Sequence, residues 1–464
     1  GLKHMYIDTT VQNGQTYFYA VLSYDHGKID TTEHGLEGIE PMTCSNRIET
    51  DIAGNLVPDV NCAIVTPNSY AAGYTPPSLD DSRYGEGESI YKQGPATGYI
   101  EVDFVEDDSI KDGHTYEIIF RDTTKFHNTG SVFFTIYDST EGKVVVPEQT
   151  LNTQLETPIF NGIVVNVHND SRVKVDYDRS GWLVGSTTYK TIIDFDPAFC
   201  SEFNPTMNIS IPYPADFKIT FSDEIIDTSN AGLGTFKEIP TKFSVWNVTE
   251  DKPAKFFFRD IVEDSTLSPD TTESILIFVD NPDIRYFKLN VTWRINFLTD
   301  STEAQFPPQP GDVYYLATTK PFRTGDIYRF TVKGVKYEKE IAKSALDDIY
   351  VVPNPYVAAA TWERSNPFLK GRGERRIWFC NLPEKCTIRI YTVRGYLVDT
   401  IEYDGTYYHS PEYDPEEQST GTPIGAVPWN LVSKDGMDIA YGVYVFHVDA
   451  PGIGEYIGKF AVIK

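Results

Sequence analysis

From Ile349 to Lys464, apolar residues recur at every second position in short runs that end in Gly or Pro. The clearest run is Cys386-Thr387-Ile388-Arg389-Ile390-Tyr391-Thr392-Val393-Arg394-Gly395. Ala440-Tyr441-Gly442-Val443-Tyr444-Val445-Phe446-His447-Val448 and Gly458-Lys459-Phe460-Ala461-Val462-Ile463-Lys464 repeat it. A period of two puts alternate side chains on opposite faces of an extended chain, so these runs fit half-buried strands. Several of them, punctuated by turn residues, predict a small β-sandwich.

The alternation also governs the middle of the chain. Tyr99–Val105, His114–Phe120 and Ser131–Asp138 read as strands. Further candidates are Ile163–Val167, Phe217–Phe221, Lys242–Val248, Lys255–Arg259, Ser274–Val279 and Val291–Phe297. A strand about every ten residues predicts a larger sandwich or a pair of them. Asp312–Ala317 and Asp326–Val332 look like closing strands, and Tyr337–Leu346 suits one short helix. The expected fold class is all-β, built of serial antiparallel β-sandwich domains of Ig-like or fibronectin-like kind. Thirty Tyr and 27 Phe against four Met agree, since aromatic rings fit a pleated, half-buried surface.

A chain of 464 residues has room for roughly three to four domains. The expected division is 1–28, 29–97, 98–335, 336–348 and 349–464. The second piece is an extended connector with little core of its own, and the fourth is a linker. A formal charge of −27, spread along the chain, repels polyanions and argues against a nucleic-acid partner. No apolar run approaches the ~20 residues of a membrane-crossing helix, so no transmembrane segment is expected.

Two segments resemble known families. Tyr6-Ile7-Asp8-Thr9-Thr10-Val11-Gln12-Asn13-Gly14-Gln15-Thr16-Tyr17-Phe18-Tyr19-Ala20-Val21 resembles the second half of a fibronectin type III domain. Half a sandwich leaves apolar faces and ladder edges open. The missing strands are expected either upstream in a longer precursor or from another molecule by strand addition. At the other end, Val351-Val352-Pro353-Asn354-Pro355-Tyr356 and Arg376-Ile377-Trp378-Phe379-Cys380-Asn381-Leu382-Pro383 precede the alternating runs. Their order resembles the C-terminal sorting domain of type IX secretion substrates and the Ig-like C-terminal domain of flagellar hook-capping proteins. The span as a whole is similar to C-terminal regions of very large secreted bacterial surface proteins. These resemblances imply a secreted bacterial protein at the outer cell surface, with 349–464 recognised by export machinery.

Candidate chemistry is sparse. The sequence carries no Gly-x-Ser-x-Gly elbow, His-Glu-x-x-His or phosphate loop. The eight histidines are scattered, and His447 decorates a strand. No catalytic residue and no organic cofactor is expected. Asp176-Tyr177-Asp178-Arg179-Ser180-Gly181 opens like a calcium loop, but Thr187 stands where a bidentate Glu belongs and Arg179 brings in a cation. Asp176 and Asp178 are therefore weighed as calcium ligands against turn residues, and separately Asp194 and Asp196 could bring two carboxylates to a sheet edge or be solvated turn residues. Glu106-Asp107-Asp108 is weighed the same way. Among five cysteines, Cys380 and Cys386 flank one turn and Cys44 and Cys62 another. Each pair is either a disulfide or two thiols, and Cys200 is left over.

Two functions fit. In the first, the chain is a non-catalytic extracellular structural or adhesive protein, a subunit of a fibre or layer that self-associates by strand complementation or binds neighbouring surface proteins. In the alternative, it is an accessory substrate- or polysaccharide-binding region of a large secreted hydrolase whose catalytic domain lies upstream.

Overall fold

In the strand Val132–Asp138 every second residue, beginning with Val132, is buried, which is the consequence of a period-two sequence lying on a core. The computed structural model describes residues 6, 8–13, 15, 17–27, 42–50, 56–65, 67–85, 87–124, 130–185, 187, 189–194, 212–231, 236–269, 273–280, 289–298, 306–357, 375–405 and 425–463. The fold is nearly all β, in mostly antiparallel sheets that pack as serial sandwiches; the Tyr356–Val357 pairing with Gly454–Ile463 is parallel. The chain divides into two units. One comprises Leu79–Val105 and Gly113–Lys333, and the other 4–78, 106–112 and 334–464.

The first unit holds two sandwiches. In one, Lys143–Leu151, Val132–Asp138, Thr115–Asp122 and Ile327–Lys333 lie side by side, and Ile90–Gln93 also pairs with Ile327–Lys333. A second sheet is ordered Gln154–Glu156, Ile163–His168, Tyr99–Phe104. Tyr116, Phe120, Phe134, Phe322 and Phe330 fill the interior, and the Phe120 and Phe322 rings stack 3.8 Å apart. The other sandwich has a sheet ordered Gly181–Val184, Val313–Leu316, Phe217–Phe221, Phe243–Asn247, Lys252–Pro253. It shares a core with the sheet ordered Lys190–Asp194, Leu289–Leu298, Ser274–Asp280, Lys255–Arg259. Phe256 and Phe258 face that core, while Phe257 packs on the opposite face with Leu276, Phe278 and Phe236. A run of three Phe is therefore satisfied on both faces of one strand, each ring contributing about 1.5–3 kcal/mol of burial.

The two strands read as closing strands belong to different sheets. Val313–Leu316 completes the second sandwich, whereas Ile327–Lys333 lies inside the main sheet of the first. The second sandwich is thus an insertion in the first. The chain leaves along 169–176 and returns along 317–323, and the two crossings are laced together. Thr319 donates its N–H to Lys174 O at 2.9 Å, and Asp176 donates its own to Ala317 O at 2.9 Å.

The second unit contains a C-terminal sandwich. Tyr350–Val352, Ile377–Cys380 and Ala426–Trp429 form one sheet. Tyr356–Val357, Gly454–Ile463, Gly442–Ala450, Cys386–Thr392 and Leu397–Tyr403 form the other. Phe446 pairs with Gly458, where an added Cβ would stand 2.3 Å from the ring, so the glycine makes room for the aromatic. The stretch read as a linker is packed: it carries the helix Lys339–Ser344 and a 3-10 turn Leu346–Asp348, with Ala342 and Leu346 buried. Part of the expected connector is also structured. Tyr74–Thr75 pairs with Lys336–Tyr337, and Ile90–Gln93 joins the first unit's main sheet. These pairings join residues hundreds of positions apart, so no local pattern announces them.

A buried carboxylate organises the loop after Lys255–Arg259. Glu273 is 0% exposed; its Oε1 accepts the N–H groups of Ile261 at 2.9 Å and Val262 at 3.3 Å, and its Oε2 that of Ser268. Burial pushes its pKa upward against those donors. Glu273→Gln turns an NH₂ group toward one set of N–H donors. The expected loss is about 1–3 kcal/mol in denaturant unfolding with an unchanged slope. Exposed Glu263→Gln should stay within about 0.5 kcal/mol of the parent.

Candidate functional site

The turn after Val175 does not assemble a calcium loop. Asp176 Oδ1 accepts the N–H groups of Asp178 at 3.2 Å and Arg179 at 3.3 Å, and its Oδ2 takes Arg179 Nε at 2.6 Å. The guanidinium occupies the place a cation would need, and its hydrogen bond holds the Asp176 carboxyl below the usual range. Asp178 is exposed. Asp194 ends the strand Lys190–Asp194 opposite Arg294, in the other sheet, and Asp196 lies outside the described residues.

What the turn does build is a buried charge network. Arg179 Nη2 donates to Thr318 O at 3.0 Å, and its Nη1 stands 4.0 Å from Asp216 Oδ2. Asp216 Oδ1 accepts the Thr318 N–H at 2.8 Å and the Lys320 ammonium, and Oδ2 accepts the Tyr315 hydroxyl at 3.1 Å. Lys320 also donates to Thr318 O at 3.0 Å. Burial pushes the Lys320 pKa down while Asp216 pulls it back. Burial, followed by the Asp216 charge, pushes Tyr315 up to about 12. Neither Asp216 nor Lys320 belongs to a recognisable motif. The one signal available was a lone lysine in the otherwise uncharged stretch from Tyr314 to Phe322.

Two other groupings come from register. Asp138 pairs across the hairpin with Tyr116, which brings His114 Nδ1 to 2.8 Å from Asp138 Oδ2. With Glu141 these are a grouping of potential metal ligands whose donor atoms lie within 4.8 Å. Asp138 Oδ1 already accepts the N–H groups of Thr140 and Glu141, each at 3.0 Å, so this carboxylate fastens the hairpin turn. In the second unit, Asp107 accepts the hydroxyls of Tyr70 and Tyr74, whose rings stack 3.9 Å apart. The acidic triplet at Glu106 therefore serves as an anchor for two tyrosines.

The four described cysteines are all free thiols, the second of the two alternatives for each pair; Cys200 lies outside the described residues. Cys380 packs with Trp378 and Ala426, whereas Cys386 points into the main C-terminal core. Burial pushes both thiols up to about 12. Cys44 is exposed and accepts the Ser23 N–H at 3.2 Å, which lowers its pKa, while Cys62 lies on a strand opposite Ala20. Among the described residues, no helix is long and apolar enough to cross a membrane.

No protein-family model matches the chain. No curated protein matches it either. Distant likeness to solved structures exists. PorZ, a bacterial surface component of the type-IX secretion system of Porphyromonas gingivalis, is similar over 90% of this chain and 44% of its own, with 14% identity and a TM-score of 0.19. FlgK, the flagellar hook junction protein of Burkholderia pseudomallei, is similar over 56% of this chain and 44% of its own, at 12% identity and a TM-score of 0.15. Latent PorU from Porphyromonas gingivalis is similar over 88% and 35%, at 12% identity and a TM-score of 0.15. The chain spans less than half the length of each of these proteins. Likeness at this level assigns no family and transfers no activity.

Asp176→Ala removes the partner of Arg179 and two N–H acceptors. It should cost about 1–3 kcal/mol, equally in calcium and in EDTA. A calcium-dependent rise in melting temperature that this substitution abolishes would restore Asp176 as a ligand. Iodoacetamide on native protein should label Cys44, and Cys380 and Cys386 only after unfolding, as read by peptide mass mapping. Recovery of a Cys380–Cys386 linked peptide would reinstate that bridge.

Proposed function

We propose that this chain is a non-catalytic structural or adhesive protein of a bacterial outer surface, whose copies join by adding a strand to an open sheet in the second unit. The observation that carries the reading is the pair Tyr17–Ala20 and Cys62–Val65, a two-stranded antiparallel sheet. Phe18 is 55% exposed, Val21 79% and Val65 44%. Leu22 and Tyr24 are exposed beside them. Among the described residues, these two strands offer outward-facing backbone groups and apolar side chains, and a third strand would satisfy both. A neighbouring copy supplies it by β-augmentation.

The non-catalytic part of the reading is supported by how buried carboxylates are used. Asp138, Asp216 and Glu273 each accept backbone N–H groups, and Asp216 also meets a buried ammonium. Groups committed in this way are poorly placed to exchange protons with a substrate. The sorting-domain resemblance of 349–464 supports export, with the export machinery as a second partner.

Analytical ultracentrifugation and electron microscopy of the full chain test this. Oligomers are expected that persist at ~1 M salt, where exposed ion pairs are screened. Phe18→Asp should dissociate them while the remaining domains melt unchanged. A monodisperse wild-type monomer, with 17–20 and 62–65 protected from hydrogen exchange, would sink the proposal.

A further inference from the structure

Lys320 is 4% exposed and Asp216 7%, inside a β-sandwich protein. The Lys320 Nζ stands 2.5 Å from Asp216 Oδ1. The carboxyl is held from both sides, by the Thr318 N–H on Oδ1 at 2.8 Å and by the Tyr315 hydroxyl on Oδ2 at 3.1 Å. An amine and a carboxyl group are therefore pinned in contact, shielded from water, with donors on both oxygens. We propose that Lys320 and Asp216 condense into an intramolecular isopeptide bond.

The chemistry needs nothing beyond these groups. A buried ion pair is poorly solvated, so moving one proton from Nζ to Oδ1, its contact partner, yields a neutral amine and a neutral acid. The burial that pushes the Lys320 pKa down favours that step. The amine lone pair then attacks Cγ. Negative charge develops on Oδ2, toward which the Tyr315 hydroxyl, pushed up to about 12 and therefore protonated, already donates. One C–N bond forms and the Cγ–Oδ1 bond breaks. Oδ1 leaves as water, carrying the proton it first received and a second one from Nζ. Nothing is oxidised or reduced, and two buried charges become one neutral amide.

The position gives the bond a consequence. Asp216 immediately precedes Phe217–Phe221, and Lys320 follows Val313–Leu316, strands that pair through Phe217 and Leu316. The link closes a stretch of 104 positions, the whole span between the two residues. Tension applied between the chain ends would run through the covalent link and bypass the stretch 217–319, while Gly181–Val184 and Lys190–Asp194 of the same sandwich stay in the load path. Proximity of this kind substitutes for the high concentrations an untethered condensation would require.

Intact-mass spectrometry of the full chain tests the proposal. The wild type should be lighter than its sequence mass by one water, and tandem spectra should join residues 216 and 320 in a branched peptide. Lys320→Arg keeps the ion pair but lacks the amine, and it should fold with its full sequence mass. Asp216→Ala should also show full mass. Wild-type protein at its unmodified mass overturns the proposal. So does a water loss that survives in Lys320→Arg, because the dehydration then lies elsewhere.

Discussion

Lys320 carries a charge into the junction where the inserted sandwich returns to its host, and Asp216 is its counter-charge there. Two ions taken from water each lose several kcal/mol of hydration, which their mutual attraction offsets only with good geometry and satisfied remaining sites. Here those sites are satisfied by Thr318, Tyr315 and the Arg179 guanidinium, which Asp176 holds in turn. The backbone around them is equally tied. Thr97 donates its N–H to Lys320 O at 2.9 Å, and Phe322 donates its N–H to Asn169 Oδ1 at 3.0 Å. One short segment thus connects the charge network to the Phe120–Phe322 stack in the first sandwich. Chain topology, charge neutralisation and core packing meet there.

Elsewhere in the protein, acidic side chains serve the backbone. Glu273, Asp260 and Asp264 gather the N–H groups of an irregular loop, and Asp138 closes a hairpin. Glu263 and Ser265 adopt positive φ in that loop, which the surrounding carboxylate bonds help to hold. In a chain of charge −27, many acids remain exposed. Those that are buried act as fasteners, where an apolar residue would leave peptide groups unpaired.

Strands such as Val132–Asp138 and Cys386–Thr392 were legible because one face is buried, and a period of two is then forced on the side chains. The helix at Lys339–Ser344 was legible as a short interruption of that period. At Asp176 and Asp178 the sequence already sets Arg179 against a calcium loop, and its side chain folds back onto Asp176. His114 and Asp138 escaped notice because register, and not spacing, makes them neighbours. The cysteine pairs looked like staples across turns, yet Cys380 and Cys386 enter different apolar clusters.

The sequence by itself determined the class of the protein: alternating apolar runs and turn residues admit sheets and exclude a helical architecture, because side-chain direction along a strand is a local property. It also determined the strongly acidic character, which is a sum over residues and independent of folding. Tertiary structure alone decided that one sandwich is inserted in another, and that Ile327–Lys333 returns to the first sheet. It alone decided that Lys320 meets Asp216. Such pairings join residues 104 positions apart or more. Their free energy comes from excluding water between surfaces that become adjacent only when the whole unit has folded.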